Sequence, residues 1–197
     1  MGREVTWVRL WVCDDMNNDI YILYSHTGSL FSKFIKLFTK SKYNHVSLCL
    51  NGDFVDFYSF GRRVVLFPLL SGFVIEALDK GTFKYFNNTI CSLYKIKVDN
   101  EKHVKLENIV NRFIDNKYEY RFNLIGMIGF VFNVPIRRKN KFCCSQFVAS
   151  VINESGIYGF TKSTFLVSPN DIFEIPNALC IYEGKIDGLR DFVRLKM

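Results

Sequence analysis

The chain has 197 residues, 49% of them apolar and 23% charged, with 20 Phe and 10 Tyr; this composition belongs to a folded globular chain and excludes an intrinsically disordered one. The length suits one domain with a sizeable core, and no internal repeat or Pro/Gly/Ser linker divides it, so a single domain over residues 1–197 is expected. The net charge of +7 draws on Lys33, Lys36, Lys40 and Lys42 and on Arg137, Arg138, Lys139 and Lys141. A solvated basic face is the plainer reading of these clusters and an anionic membrane surface the sharper one; with no nucleic-acid motif present, no nucleic-acid partner is expected.

No apolar run reaches the ~18 residues that span a bilayer. The segment Met1–Asn18 has no clean apolar stretch ending in a small-residue cleavage site, so a cytoplasmic location is the expectation. Asp19–Tyr24 is a β-branched and aromatic run and reads as a strand. Leu30, Phe31, Phe34, Ile35 and Phe38 recur at helical spacing within Ser29–Lys40, with lysines on the opposite face. His45–Leu50 and Phe54–Phe60 read as two strands joined at Asn51-Gly52-Asp53, residues that tolerate the backbone of a tight turn. Phe67–Ala77 reads as loop then strand, and Thr89–Val98 as an alternating strand. Leu106, Ile109, Val110, Phe113 and Ile114 mark an amphipathic helix, while the aromatic, glycine-rich stretch Phe122–Val134 fits no element. Cys144–Glu154 is a helix with Phe147, Val148, Val151 and Ile152 as its buried stripe and Gly156 at its C-terminal cap. Ile181 and Phe192–Leu195 suggest late strands. The pattern is α+β with a mainly antiparallel sheet.

Six cysteines stand at 13, 49, 91, 143, 144 and 180. They form no C-x-x-C pair and no zinc spacing, so neither a disulfide framework nor a metal is expected, and no cofactor motif is present. A thiolate metal site on Cys143, Cys144 and His45 is disfavoured because adjacent cysteines fit a tetrahedral ion poorly. The first turn of a helix presents unpaired N–H groups and the positive end of the helix dipole, both of which favour a thiolate. Cys144 lies three and four residues before Phe147 and Val148 and so over the buried face, unlike Cys143. Of the three histidines, His103 sits in a charged helix start and is expected to face solvent, and His26 lies in a loop after a strand. His45 opens a strand, where an imidazole can be held firmly over a cleft.

Asn44-His45-Val46-Ser47-Leu48, the hairpin leading to Tyr58-Ser59-Phe60-Gly61-Arg62, and Phe142-Cys143-Cys144-Ser145-Gln146-Phe147-Val148 together resemble the circularly permuted branch of the NlpC-type papain-like superfamily. Val167-Ser168-Pro169-Asn170-Asp171 resembles the segment that follows the nucleophile helix in that family. The resemblance covers roughly residues 20–185. It implies a papain-like core with the His strand before the Cys helix, and thiol chemistry on an acyl carbonyl with Cys144 as nucleophile and His45 as base. Relatives include peptidoglycan-type amidases and lecithin:retinol acyltransferase-like enzymes, so the implied substrate is peptide-like or lipid-like.

The family also has a third polar residue on the strand after the His, for which Asp56, Tyr58 and Ser59 are the candidates here. With Gly52-Asp53 as the turn, Cys49 is expected opposite Asp56 and Ser47 opposite Tyr58. Asp56 is then favoured, because a carboxylate stabilises an imidazolium; a one-residue slip brings Ser59 instead. Ser145 and Gln146 are expected to cap the helix or line its flank, Pro169 and Asp171 to shape a turn, and Tyr118, Tyr120 and Arg121 to pack rather than line a pocket. The rival class is a catalytically silent module that keeps the cleft and binds lipid or peptide.

Overall fold

The computed structural model describes residues 18–28, 42–67 and 70–196. The basic helix expected over Ser29–Lys40 lies outside the described residues. Among the described residues, eight strands run β1 (Ile20–His26), β2 (His45–Cys49), β3 (Phe57–Arg62), β4 (Ser71–Glu76), β5 (Ile90–Ile96), β6 (Arg121–Phe122), β7 (Lys141–Phe142) and β8 (Leu179–Lys185). Between and after them come α1 (Gly81–Tyr85), α2 (Asn100–Asp115), α3 (Leu124–Phe132), α4 (Cys144–Glu154), α5 (Pro169–Ile172) and α6 (Ile186–Arg194), with a 3-10 turn at Thr164–Leu166.

Six strands form one antiparallel sheet in the order β4-β3-β2-β1-β5-β8, and β6 and β7 form a short parallel pair. The chain is thus α+β. Alternation along the strands gives the sheet two apolar faces. Tyr24, Val46, Leu48 and Phe60 pack beneath α2 (Leu106, Ile109, Val110, Phe113) and α4 (Phe147, Val148, Val151, Ile152). Tyr21, Leu23, Cys49, Phe57, Cys91 and Leu93 meet Leu78, Phe83 and the Ile186, Leu189 and Val193 stripe of α6.

Several expectations change. Phe192–Leu195 is helical rather than extended: Ile186, Leu189 and Val193 are its buried positions, a spacing that serves a helix against the sheet. Phe122–Val134 contains the last residue of β6 and all of α3. The β2–β3 connection is longer than Asn51-Gly52-Asp53, because Phe54 adopts a left-handed backbone (φ 53°) and inserts its ring against Tyr21, with centroids 4.7 Å apart. Strand pairing therefore resumes at Phe57, and Leu48, not Ser47, stands opposite Tyr58. That one-residue slip turns Tyr58 toward the α4 side and brings Ser59 onto the face of His45.

Antiparallel order places the end of β1, the start of β2, the end of β3 and the start of β4 along one rim of the sheet. The start of α4 abuts that rim, since α4 packs on β2 and β3.

Candidate active site

Cys144 is the first residue of α4, and its position is set by Gln146. The Gln146 Oε1 accepts from the Cys143 backbone N–H (3.0 Å) and from Asn123 Nδ2 (3.3 Å), while its Nε2 donates to the Phe165 carbonyl (3.0 Å). Cys143 is the N-cap, with extended backbone. Gln146 therefore satisfies one of the N–H groups that a helix start leaves open, as expected from the sequence. At the other end, Gly156 takes φ 78° just past the last turn, the left-handed closure that glycine permits.

The two adjacent thiols differ. Burial, with the neighbouring Cys144 next in effect, pushes the Cys143 thiol up to about 12. Cys144 instead lines a cleft shared with His45, Glu76, Gly61, Arg62 and Phe122, near enough to the His45 imidazole to raise its proton affinity.

His45 opens β2. Its Nε2 lies 2.9 Å from Glu76 Oε2 and 3.2 Å from Oε1. With Nε2 engaged by the carboxylate, Nδ1 is the nitrogen left for the thiol. The Ser47 hydroxyl donates to the same Glu76 Oε2 at 2.6 Å and fixes the carboxylate's orientation. The His45 side chain is 20% exposed and that of Glu76 11%, so the pair is sheltered without being sealed. Burial alone lowers the proton affinity of the imidazole, but the Glu76 charge, followed by the hydrogen bonds to Cys144 and Glu76, overcomes it and pushes His45 up to about 10. The complementary effect holds Glu76 below its ordinary value: burial raises it, and the His45 charge and the bonds from His45 and Ser47 more than offset that. At neutral pH the site therefore carries a carboxylate beside an imidazolium.

Glycine at 61 leaves room for this contact. A Cβ there would stand 3.4 Å from Glu76 Oε1 and 3.5 Å from His45 Cε1. The cleft opens to solvent, with about 50 Å³ of space at its base. Among the described residues no group of three or more His, Cys, Asp or Glu is arranged to hold a metal ion.

No protein-family model, curated protein or solved structure matches the chain. What the site can do is therefore read from its own geometry. A carboxylate hydrogen-bonded to an imidazole, in one cleft with a thiol at a helix start, is an arrangement able to take up a proton and present a nucleophile.

The sequence-stated residues divide. His45 and Cys144 are brought together. Asp56 is not at the imidazole: it lies in the connection before β3, outside the cleft lining. Tyr58 packs with the α2–α4 core, and Ser59 donates to the Val46 carbonyl at 2.6 Å. The place expected for Asp56 is taken by Glu76 at the end of β4, which sequence reasoning missed. A signal was present, since a lone carboxylate closes the apolar run Phe73-Val74-Ile75. His103, expected to face solvent, is 8% exposed and its Nε2 donates to the Leu50 carbonyl at 2.7 Å, tying α2 to the end of β2. Asp171 acts from the third position of α5, where its carboxylate accepts from the Ser168 N–H (2.6 Å) and Ser168 is the cap itself. Tyr120 packs against Phe113 (centroids 4.5 Å apart), Tyr118 is exposed, and the Arg121 guanidinium donates to the Tyr118 and Tyr120 carbonyls.

Proposed function

We propose that the chain is a cysteine hydrolase or acyltransferase of the permuted papain-like type, acting on an amide or ester carbonyl of a peptide-like or lipid-like substrate. The observation that carries this reading is the Glu76–His45 hydrogen-bonded pair lining one cleft with Cys144, whose thiol stands on the first residue of a helix. The order of segments, His strand before Cys helix, supports the permuted assignment.

The Cys144 sulfur adds as a thiolate to the carbonyl carbon, with the His45 imidazolium beside it. The resulting oxyanion is held by backbone N–H groups at the α4 start, Cys144's own among them. The imidazolium gives its proton to the departing nitrogen or oxygen as the C–N or C–O bond breaks, leaving a thioester and a neutral imidazole. Water, or an acceptor alcohol or amine, then loses its proton to His45 while adding to the thioester. The C–S bond breaks, and the carboxylic acid or transferred acyl product leaves a thiolate and imidazolium as at the start. Glu76 touches no reacting atom; it positions the ring and stabilises its charge.

The test is the iodoacetamide labelling rate of each cysteine across pH, read by peptide mass spectrometry, in wild type, His45→Ala and Glu76→Gln. The proposal expects Cys144 to label fast at pH about 6, Cys143 to stay unlabelled in the folded chain, and both substitutions to slow Cys144. Slow labelling at Cys144 that neither substitution alters would overturn the hydrolase assignment and leave a module that binds peptide or lipid without turning it over.

A further inference from the structure

Helix α3 presents a different outward face from α2. The outward side of α2 carries Glu101, Lys105, Asn108, Asn111, Arg112 and Asp115, the ordinary charged face of a surface helix. The outward side of α3 carries Leu124, Ile125, Ile128 and Phe132, exposed by 43, 46, 54 and 71%. At ~100° per residue these four fall within a single ~100° arc of the helix. Gly126, Met127 and Gly129 are buried. A Cβ at Gly129 would meet the Val134 carbonyl at 2.4 Å, so the returning chain lies directly on the helix there, and one at Gly126 would meet the N-cap Asn123 side chain at 2.2 Å. Among the described residues the apolar arc is therefore exposed beside a packed side, and Val134, just past the helix end, is 52% exposed as well.

Its chemical surroundings specify the occupant. From residue 117 to 142 the chain carries Lys117, Arg121, Arg137, Arg138, Lys139 and Lys141 against one acid, Glu119. Strands β6 and β7 bring the cationic segments before and after the helix together near its N-terminal end, Arg121 pairing with Lys141. An apolar helix face bordered by cations matches a surface that is apolar within and anionic at its edge. An aromatic that is exposed beside a cation, Tyr118 with the Lys117 ammonium 5.2 Å from its ring, suits the headgroup level of such a surface.

We infer that α3 and the basic residues around it dock the protein onto an anionic phospholipid bilayer, with Leu124, Ile125, Ile128 and Phe132 inserted at the headgroup–acyl boundary. Phe122, which lines the catalytic cleft, is two residues before the helix, so docking holds the cleft beside the lipid surface. The binding itself does not depend on the thiol chemistry, and that independence is used in the test.

The experiment is vesicle co-sedimentation of the full chain carrying Cys144→Ala, so that a failure of turnover cannot register as a failure of docking. Vesicles of phosphatidylcholine with about a third phosphatidylserine are compared with pure phosphatidylcholine, and low salt with high salt. The expected result is binding to the anionic vesicles that falls about tenfold or more on neutral vesicles and in high salt. Ile128→Asp with Phe132→Asp, and separately Arg138→Glu with Lys139→Glu, are each expected to lower it about tenfold or more while leaving the circular dichroism spectrum unchanged. Protein that stays in solution with anionic vesicles overturns the inference. So does binding that the folded variants do not reduce. Light scattering that shows a dimer lost in the Ile128/Phe132 variant, with no vesicle binding, assigns the face instead to a second copy of this chain.

Discussion

Replacing Glu76 with Gln keeps the size of the side chain and removes the charge that lies 2.9 Å from His45 Nε2. Without that charge, the burial that lowers the imidazole's proton affinity is opposed only by Cys144, so the ring falls from about 10 toward or below its ordinary 6.5. Converted at the standard rate, the drop sets a ceiling of about 5 kcal/mol on the interaction. With the ring 20% exposed and Ser47 still available to the amide, about 3 kcal/mol of folding stability is the expected loss. The pH dependence has a definite sign. A folded-state imidazole raised above its unfolded value stabilises fully below about 6.5 and loses that contribution as pH rises through about 10. Glu76, held low, stabilises above the ordinary carboxylate range and loses its contribution as pH falls through its lowered folded value. The gap between wild type and Glu76→Gln is thus widest near pH 6 and narrows by about pH 10. Urea unfolding at the two pH values measures the gap, and the His45 Cε1 resonance followed against pH measures the titration. A wild-type ring that titrates near its ordinary value, or a stability gap equal at both pH values, would refute the reasoning.

Two further substitutions probe the frame around the site. Gly61→Ala places a methyl at ordinary contact distance from Glu76 and His45 and is expected to preserve Cys144 labelling. Gly61→Val pushes branched methyls into the carboxylate–imidazole contact and is expected to slow labelling about tenfold or more, at a stability cost of about 1–3 kcal/mol; equal labelling in the two variants would count against the packing described. Gln146→Leu strands the Cys143 N–H and the Phe165 carbonyl and leaves Asn123 Nδ2 only its bond to the Ile136 carbonyl, and is expected to lower stability by about 2–3 kcal/mol, read as a shifted urea midpoint at unchanged slope.

The elements that could be read from sequence were those whose period and packing agree. Cys144–Glu154 is helical over the stated range because its apolar residues fall on one stripe and Gly156 closes its last turn. Strand β5 was legible from alternation alone. Legibility failed where a single backbone conformation decided the outcome: Phe54 in a left-handed state lengthens the hairpin, slips the register by one residue and removes Asp56 from the imidazole. Glu76 was hidden because the contact it makes spans 31 residues and a whole strand, and local pattern does not encode such a pairing. Helix α3 escaped because it is apolar nearly all round, and periodicity distinguishes a helix only when one side is polar.

Gln146 joins three separate segments through one amide: the N-cap of α4, Asn123 at the N-cap of α3, and the 3-10 turn at Phe165. Such an amide behaves as a mechanical coupling. A push on α3 that shifts Asn123 must either carry the first turn of α4 with it or break the 3.3 Å bond between the two side chains. Load applied to the outer helix is thereby delivered to the residue next to the nucleophile, through a linkage two hydrogen bonds long.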